Sequence, residues 1–518
     1  MRPTQWQPPI TLSAKEEQVL KRIRKAKLFV FLRKYRHEIF DETFQGELAG
    51  LYRESKRGQP PVAPAMLAMV ILLQAYMGVS DDEAIEALVM DRRWQLVTDC
   101  LDTEEAPFSK GTLVSFRSRL IEAQLDRRLV ERTIELAERS GAFGSRALRA
   151  ALDSSPLWGA GRVEDTYNLL GHAVEKVISV IAAVQGREPV AVAKGAGAEL
   201  VTGSSLKASL DRDWDQKTEQ QEALAAVLTM LKEVETWLTS LPEDQQHPKA
   251  QQYLDVAKHI KVQNVDEGAG TLIEGVAKDR RCSVEDEDMR HGRKSRSVLV
   301  DGYKRHVLHD LDSGLVRAVG ITAANVPEAS VTEALSADLD RQNVQLKELH
   351  IDRAYLSSHL VREREASLQI YCKAWPVRQG PRFSKQAFHL DWEHQTIRCP
   401  ASVELPFTPG GIVRFPTETC AECPLREQCT TSLRGRSVSI HPDEALLAEF
   451  RERQSTSDGR AALRERVAVE HTLAHVGQWQ GPRARYLGIS KNLFDLRRYA
   501  VVHNLHVLAR SKNFLQAA

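Results

Sequence analysis

Apolar residues at three- and four-residue spacing dominate the first quarter of the chain. They recur through residues 65–77, 84–89 and 125–136 with no sustained two-residue alternation, so residues 12 to about 140 are predicted to be helical. Ser80-Asp81-Asp82-Glu83 reads as a helix start, with a capping Ser and an acid three residues on, ahead of Ala84, Ile85 and Leu88. Residues 107–112 read as a turn, followed by a short basic helix over 113–120 that carries Arg117 and Arg119.

Past residue 140 the pattern changes. The apolar run 147–152 ends at Asp153, and a helix is predicted over 163–184. Residues 211–276 are strongly charged, with Leu224, Val227, Leu228, Leu231, Val234, Trp237 and Leu238 at helical spacing and a break near 241–244, which predicts an inserted helical pair. Strand-type residues return at 303–310 and 315–321, joined by the turn Asp312-Ser313-Gly314. A helix over 327–340 follows, then a second apolar run, 349–351, ending at Asp352. Residues from about 371 to 445 are rich in Pro, Gly and Thr with short β-type runs such as 396–398, and helix resumes from 460 to about 514. In that last stretch Leu463, Val467, Glu470 and Ala474 are predicted to share a face, with Arg466 one turn before Glu470, a spacing that also suits a plain surface ion pair. The fold class is mixed α/β.

Composition narrows this little. A chain of 518 residues with 42% hydrophobic content has room for several cored domains, and a net charge of +1 does not announce a nucleic-acid binder. The distribution says more: nine basic residues between positions 15 and 36 face only Glu16 and Glu17, a patch attractive to phosphates or a solvated helix face. The N-terminus lacks the apolar segment of a signal peptide, and the apolar run 65–77 contains Gln74 and is too short to span a bilayer, so a soluble cytoplasmic protein is expected. Of seven cysteines, Cys399, Cys420, Cys423 and Cys429 cluster around a Cys-x-x-Cys pair, which points to a structural zinc; Cys100, Cys282 and Cys372 read as ordinary core or surface residues.

Asp153, Asp352 and Glu470 carry the candidate chemistry. Two acids at strand ends and one on a helix can meet around a pair of divalent ions, which take oxygen ligands and activate water or a hydroxyl for attack on phosphorus. The segments Asp153-Ser154-Ser155-Pro156-Leu157-Trp158-Gly159, Gly302-Tyr303-Lys304-Arg305-His306, residues 322–329 (TAANVPEA), Asp352-Arg353-Ala354-Tyr355, residues 466–471 (RVAVEH) and Asn504-Leu505 occur in this order. Together they resemble the DDE transposases of bacterial insertion sequences, in the branch with a helical N-terminal DNA-binding region and a four-cysteine insert before the catalytic Glu. The resemblance runs from about residue 25 to 512.

That resemblance implies a ribonuclease-H-like core interrupted by two inserts. The expected segments are a helical DNA-binding domain (1–140), the first part of the core (145–205), a helical insert (206–280), the second part of the core (281–370), a β-rich four-cysteine insert (371–450) and a C-terminal segment (451–518) that bears the catalytic helix. Asp153, Asp352 and Glu470 would hold two Mg²⁺ ions, or Mn²⁺, for strand cleavage and strand transfer. The partners would be terminal inverted repeats and target DNA, bound by a homodimer associated with the nucleoid. The helix over 113–120 has the shape that enters a major groove. Arg117, Arg119, Lys294, Lys304, Arg353 and Arg466 are the candidate DNA contacts, with Arg290, His291, Arg293 and Arg305 nearby; a packed bundle with surface arginines fits the same pattern. Relatives often carry Tyr and Lys where this chain has Leu463 and Gly477. A silent DNA-binding regulator descended from such an enzyme, or a purely hydrolytic nuclease on the same fold, are the alternatives.

Overall fold

The computed structural model describes residues 2–54, 60–141, 147–275, 277, 279–295, 297–375 and 380–511. Eight helices, counted among these, precede the first strand: α1 (Ala14–Arg22), α2 (Lys27–Ile39), α3 (Glu42–Ala49), α4 (Pro64–Met77), α5 (Asp81–Met90), α6 (Arg92–Thr98), α7 (Lys110–Glu122) and α8 (Asp126–Arg139). Local chemistry sets several of their ends. Ser13 and Ser80 each accept the N–H three residues on, while Glu16 and Glu83 bond back to the Ser backbone, closing a capping box on α1 and on α5. α4 starts on Pro64 and stops at Gly78, whose φ of 70° a larger residue would resist. Apolar on nearly every side, α4 is buried on nearly every side, as a helix without a polar face must be.

β1 (Ala147–Trp158) is followed by α9 (Thr166–Gln185), α10 (Pro189–Gly195), α11 (Leu206–Leu210), α12 (Lys217–Ser240) and α13 (Pro248–Asn264), then by a small hairpin, β2 (Val265–Asp266) and β3 (Thr271–Leu272). The expected helical pair is α12 and α13. It does not stand alone: Leu224, Val227, Leu231, Val234 and Leu238 share one apolar cluster with Val174, Val177, Ile178 and Ile181 of α9. Among the described residues α9 is long and apolar enough to cross a membrane, and its apolar side chains are packed into this cluster.

Next come β4 (Arg290–Arg293), β5 (Leu299–Asp310), β6 (Val316–Ala323), α14 (Thr332–Arg341), β7 (Gln345–Ile351), α15 (His359–Arg362) and β8 (Gln369–Cys372). β5 pairs antiparallel with both β4 and β6, and β7 pairs in parallel with β8, Ile351 opposite Cys372. β8 shows that the sheet continues past the point where the β-rich insert was expected to begin. That insert holds β9 (His389–Asp391), β10 (Thr396–Arg398), β11 (Glu404–Pro406), β12 (Ile412–Arg414), α16 (Thr417–Ala421), α17 (Arg426–Cys429) and β13 (Ser437–Ser439). The chain closes with α18 (Glu444–Ser455), α19 (Ser457–Glu465), α20 (Val467–Gln480) and α21 (Ile489–Arg510), so the helix expected over 460–514 is three helices, and 512–514 lie outside the described residues.

Contacts group these elements into two compact units that cut across the expected segments: Met1–Ala147 with Asp153–Gln345 and Val469–Ala518, and Leu148–Leu152 with Leu346–Ala468. β1 supplies strand to both. In the first unit it is hydrogen-bonded to β5, and in the second to β7. This mixed architecture is compatible with a ribonuclease-H-like core.

α21 is the axis of the first unit, packing on α8, α4 and β6. Asn504 is fully buried: its Nδ2 donates to Thr133 Oγ1 and Val316 O, both at 2.9 Å, and its Oδ1 accepts the Val316 N–H at 2.7 Å. Arg498 and Asp495, both fully buried, bond at 2.8 Å, and Arg498 also donates to Gln74 Oε1 of α4 at 3.0 Å. Removing one partner of such a pair strands the other charge. Arg498→Met is therefore expected to cost about 3–5 kcal/mol of unfolding free energy, with Arg498→Met/Asp495→Leu recovering part of it; urea titration followed by circular dichroism checks the order of the two variants.

Candidate functional site

Asp153 sits within β1 rather than at its end, because the strand is held for five residues more. The Trp158 N–H donates to Pro482 O at 2.9 Å, the Ala484 N–H to Trp158 O at 2.6 Å, and the Gly159 N–H to Asp301 O at 2.8 Å. Gly302 of β5, at φ 150°, lets this happen: a Cβ there would stand 2.3 Å from Gly159 N. Asp153 is half-buried and its Oδ1 accepts the Ser154 N–H at 2.8 Å.

Glu470 lies in the first turn of α20, in the same unit, and is exposed. The buried side of α20 is Val469, Thr472, Leu473, Val476 and Gln480. The face expected to join Leu463, Val467, Glu470 and Ala474 is not formed, since α19 ends at Glu465, Arg466 is its C-cap and Leu463 belongs to it. Glu470 itself faces outward.

Asp352 belongs to the second unit. It follows β7 directly, is exposed, and caps the turn Arg353–Tyr355 by accepting the Arg353 N–H at 2.5 Å. Burial pushes the thiol of neighbouring Cys372 up to about 12; the Asp352 charge adds to this, while Arg353 and Arg466 act against it. Arg353 lies over the ring of half-exposed Trp375, 5.6 Å from its centre.

A polar cluster in this unit has no counterpart in the hydrophobic pattern of the chain. Potential ligand atoms of Glu348, His350 and Glu465 lie within 4.8 Å of one another. A cation already serves them: Arg149 donates to both Glu348 oxygens at 3.0 Å and to Glu465 at 2.6 Å. Burial pushes the Glu348 carboxyl up, but its bonds from Arg149 and His350 outweigh this and hold it below the usual range. The cluster reads as a paired ionic network, not a metal centre.

The candidate DNA contacts divide by burial. Arg117 is buried, paired with Asp81, and lies over the rings of Tyr486 and Phe494, so it is unavailable to a phosphate and is withdrawn from the DNA-contact set. Arg305 is likewise buried. Lys304 is half-buried and donates to Val326 O at 2.9 Å, which makes it a strand anchor first. Arg119 and Lys294 are exposed, Arg353 and Arg466 half-exposed. In the N-terminal patch, Arg33 is buried on Glu16 at 2.5 Å, and Arg36 is buried against the last carbonyls of α6, Leu96 and Val97. Lys21, Arg22, Arg24, Lys25 and Lys27 remain exposed around the α1–α2 turn.

Cys399, Cys420, Cys423 and Cys429 open onto one cavity of about 480 Å³. Burial raises the Cys429 thiol, and the other three cysteines raise it further. Three of the four, Cys399, Cys420 and Cys429, also pack against the small core of Phe388, Ile397, Phe407, Val413, Phe415, Val438 and Ile440. Thiolates facing one space suit a thiophilic cation such as zinc, although the close-set three-ligand group among the described residues is the Glu348 cluster.

Residues 17–119 match the family described as a transposase domain (DUF772), and residues 260–408 and 408–509 each match one described as a transposase DDE domain. No curated protein and no solved structure matches the chain. Asp352 and Glu470 fall inside the matched segments, whereas Asp153 lies in the unmatched stretch between them.

The burial of Arg117 makes a specific expectation. Arg117→Ala should lower stability by about 3 kcal/mol by taking the cation from half-buried Asp81, while Arg119→Ala, which loses a contact with the ring of Tyr52, should cost less than about 1 kcal/mol. Thermal melts of the two variants side by side measure the difference, and equal losses would contradict the assignment.

Proposed function

Because the chain belongs to the DDE-type transposases of insertion sequences, we propose that it binds the terminal inverted repeats of its element and cuts and joins DNA at Asp153, Asp352 and Glu470. The observation that carries this reading is the placement of the acids: one on the first strand of the sheet, one directly after β7, one exposed in the first turn of α20. A further observation from the second unit supports it. Arg149 and Glu348, bridged at 3.0 Å, stand four residues before Asp153 and Asp352 respectively, so neighbouring β1 and β7 carry their acids at equal distances past the same ion pair.

Three carboxylates form an oxygen donor set that suits a hard divalent cation. Such ions, when bound, supply the Lewis acidity that activates water or a 3′ hydroxyl and stabilises the departing oxygen. The chain's own residues orient and gather. The Ser154 and Arg353 amides fix one oxygen of Asp153 and of Asp352, and at neighbouring Cys372 the charges of Arg353 and Arg466 oppose that of Asp352. Phosphate contacts on this reading come from the exposed cations, Arg119, Lys294 and the α1–α2 turn, with Arg353 and Arg466 beside the chemistry. The four cysteines hold one structural zinc, and the enzyme acts in the cytoplasm as a homodimer on DNA.

Asp153→Asn, Asp352→Asn and Glu470→Gln should each abolish metal-dependent nicking of a duplex carrying the element's ends while leaving end binding within about twofold, since each removes a ligand charge at nearly constant volume. Nicking at the wild-type rate in any one variant removes that residue from the site. Binding should be measured on the full chain, because α4 and α8 bury against α21, and affinity should fall steeply with salt. Elemental analysis should find about one zinc per chain, and Cys423→Ser should lower stability more than Cys100→Ser; a metal-free preparation from unchelated buffers would count against the zinc.

A further inference from the structure

We propose that Arg305 is a positioning residue for the carboxylate site, setting the strand that carries Asp153 against the helix that carries Glu470. The inference rests on the assignment of those two acids as metal ligands. Arg305 projects from β5 and its guanidinium reaches two elements at once. Nε donates to Ser155 Oγ of β1 at 2.8 Å. Nη1 donates to Gln480 Oε1 and Gly481 O, at the end of α20, at 3.0 and 3.1 Å.

Ser155 is two residues beyond Asp153, and residues two apart on a strand face the same way. The bond therefore holds the face of β1 that presents the acid. The end of α20 is held to the end of β1 by backbone as well, through Trp158, Pro482 and Ala484. Gly477 makes the approach feasible: a Cβ at that position would stand 3.3 Å from Nη2, so a side chain there would press on the guanidinium. Arg305 is only 6% exposed, and its bonds are made away from water, where a planar fork with fixed directions fixes its partners most firmly. An ammonium on the same stem lacks that geometry.

Such a device should show itself in metal binding before it shows in chemistry, because ligands displaced by about 1 Å can cost 100-fold in rate. The test is Mn²⁺ binding to the full, DNA-free chain by electron paramagnetic resonance, alongside the Mn²⁺ concentration for half-maximal nicking. Arg305→Lys is expected to weaken both about tenfold, with the far-ultraviolet spectrum and end binding unchanged. Ser155→Ala and Gly477→Ala, which disturb the same contacts from the other sides, should each give about threefold. Wild-type Mn²⁺ affinity in folded Arg305→Lys, or in Ser155→Ala should the Lys variant not fold, overturns the positioning role. Asp153→Asn serves as the reference: if it binds Mn²⁺ like the wild type, the carboxylate assignment itself fails, a result distinct from failure of Arg305.

Discussion

A guanidinium cut off from water must be answered by acceptors, and the first unit is organised around one such demand. Arg498 and Asp495 are both fully buried on α21, and neither can be left unpaired without a cost of several kcal/mol. Further hydrogen bonds to the pair come from separate stretches of chain. Gln74 of α4 accepts from Arg498, and Gln480 of α20 donates to Asp495 at 3.2 Å. Gln74 in turn donates to Asp81 at 2.7 Å, the residue that also pairs with Arg117 of α7. On the far side Gln480 accepts from Arg305, which holds β1. A continuous buried polar chain thus runs from α7 to the strand bearing Asp153. A buried network of this kind favours one arrangement, because a shift costs hydrogen bonds that water cannot replace.

That network changes which arginines are available for DNA. By sequence alone, Arg33, Arg36, Arg117 and Arg305 look as exposed as any other cation. In the fold each is buried on acceptors of the chain itself, so each holds the protein together and none can meet a phosphate. Among the candidate cations, those at the α1–α2 turn and Arg119, Arg293 and Lys294 stay exposed, with Arg353 and Arg466 half-exposed. Where binding depends on phosphate neutralisation, salt sensitivity reports on this smaller set.

In the second unit an ionic and a sulfur site stand apart. Arg149 already bridges Glu348 of β7 and Glu465, so the acids of the Glu348, His350 and Glu465 cluster are paired within the chain. The four cysteines surround a cavity beside a core of seven buried apolar residues, so small that a metal crosslink would add materially to its stability.

Periodicity was enough to read the helical first quarter, the capping boxes at Ser80 and the α12–α13 pair, because local hydrogen bonds and 3.6-residue spacing are properties of short stretches. The order of motifs was enough for the family, with Asp352 at the end of its strand. Three things were invisible. β1 continues past Asp153 because Pro482 and Ala484, more than 300 residues on, supply its hydrogen bonds. The outward position of Glu470 follows from a helix break at Arg466 that no glycine or proline announces. The burial of Arg117 and Arg305 depends on Asp81, Gln480 and α21 arriving from elsewhere in the chain. Sequence by itself determined which residues can bond and which stretches coil; only tertiary structure decided which charges lost their water, because desolvation is a property of what packs around a side chain, not of its neighbours in sequence.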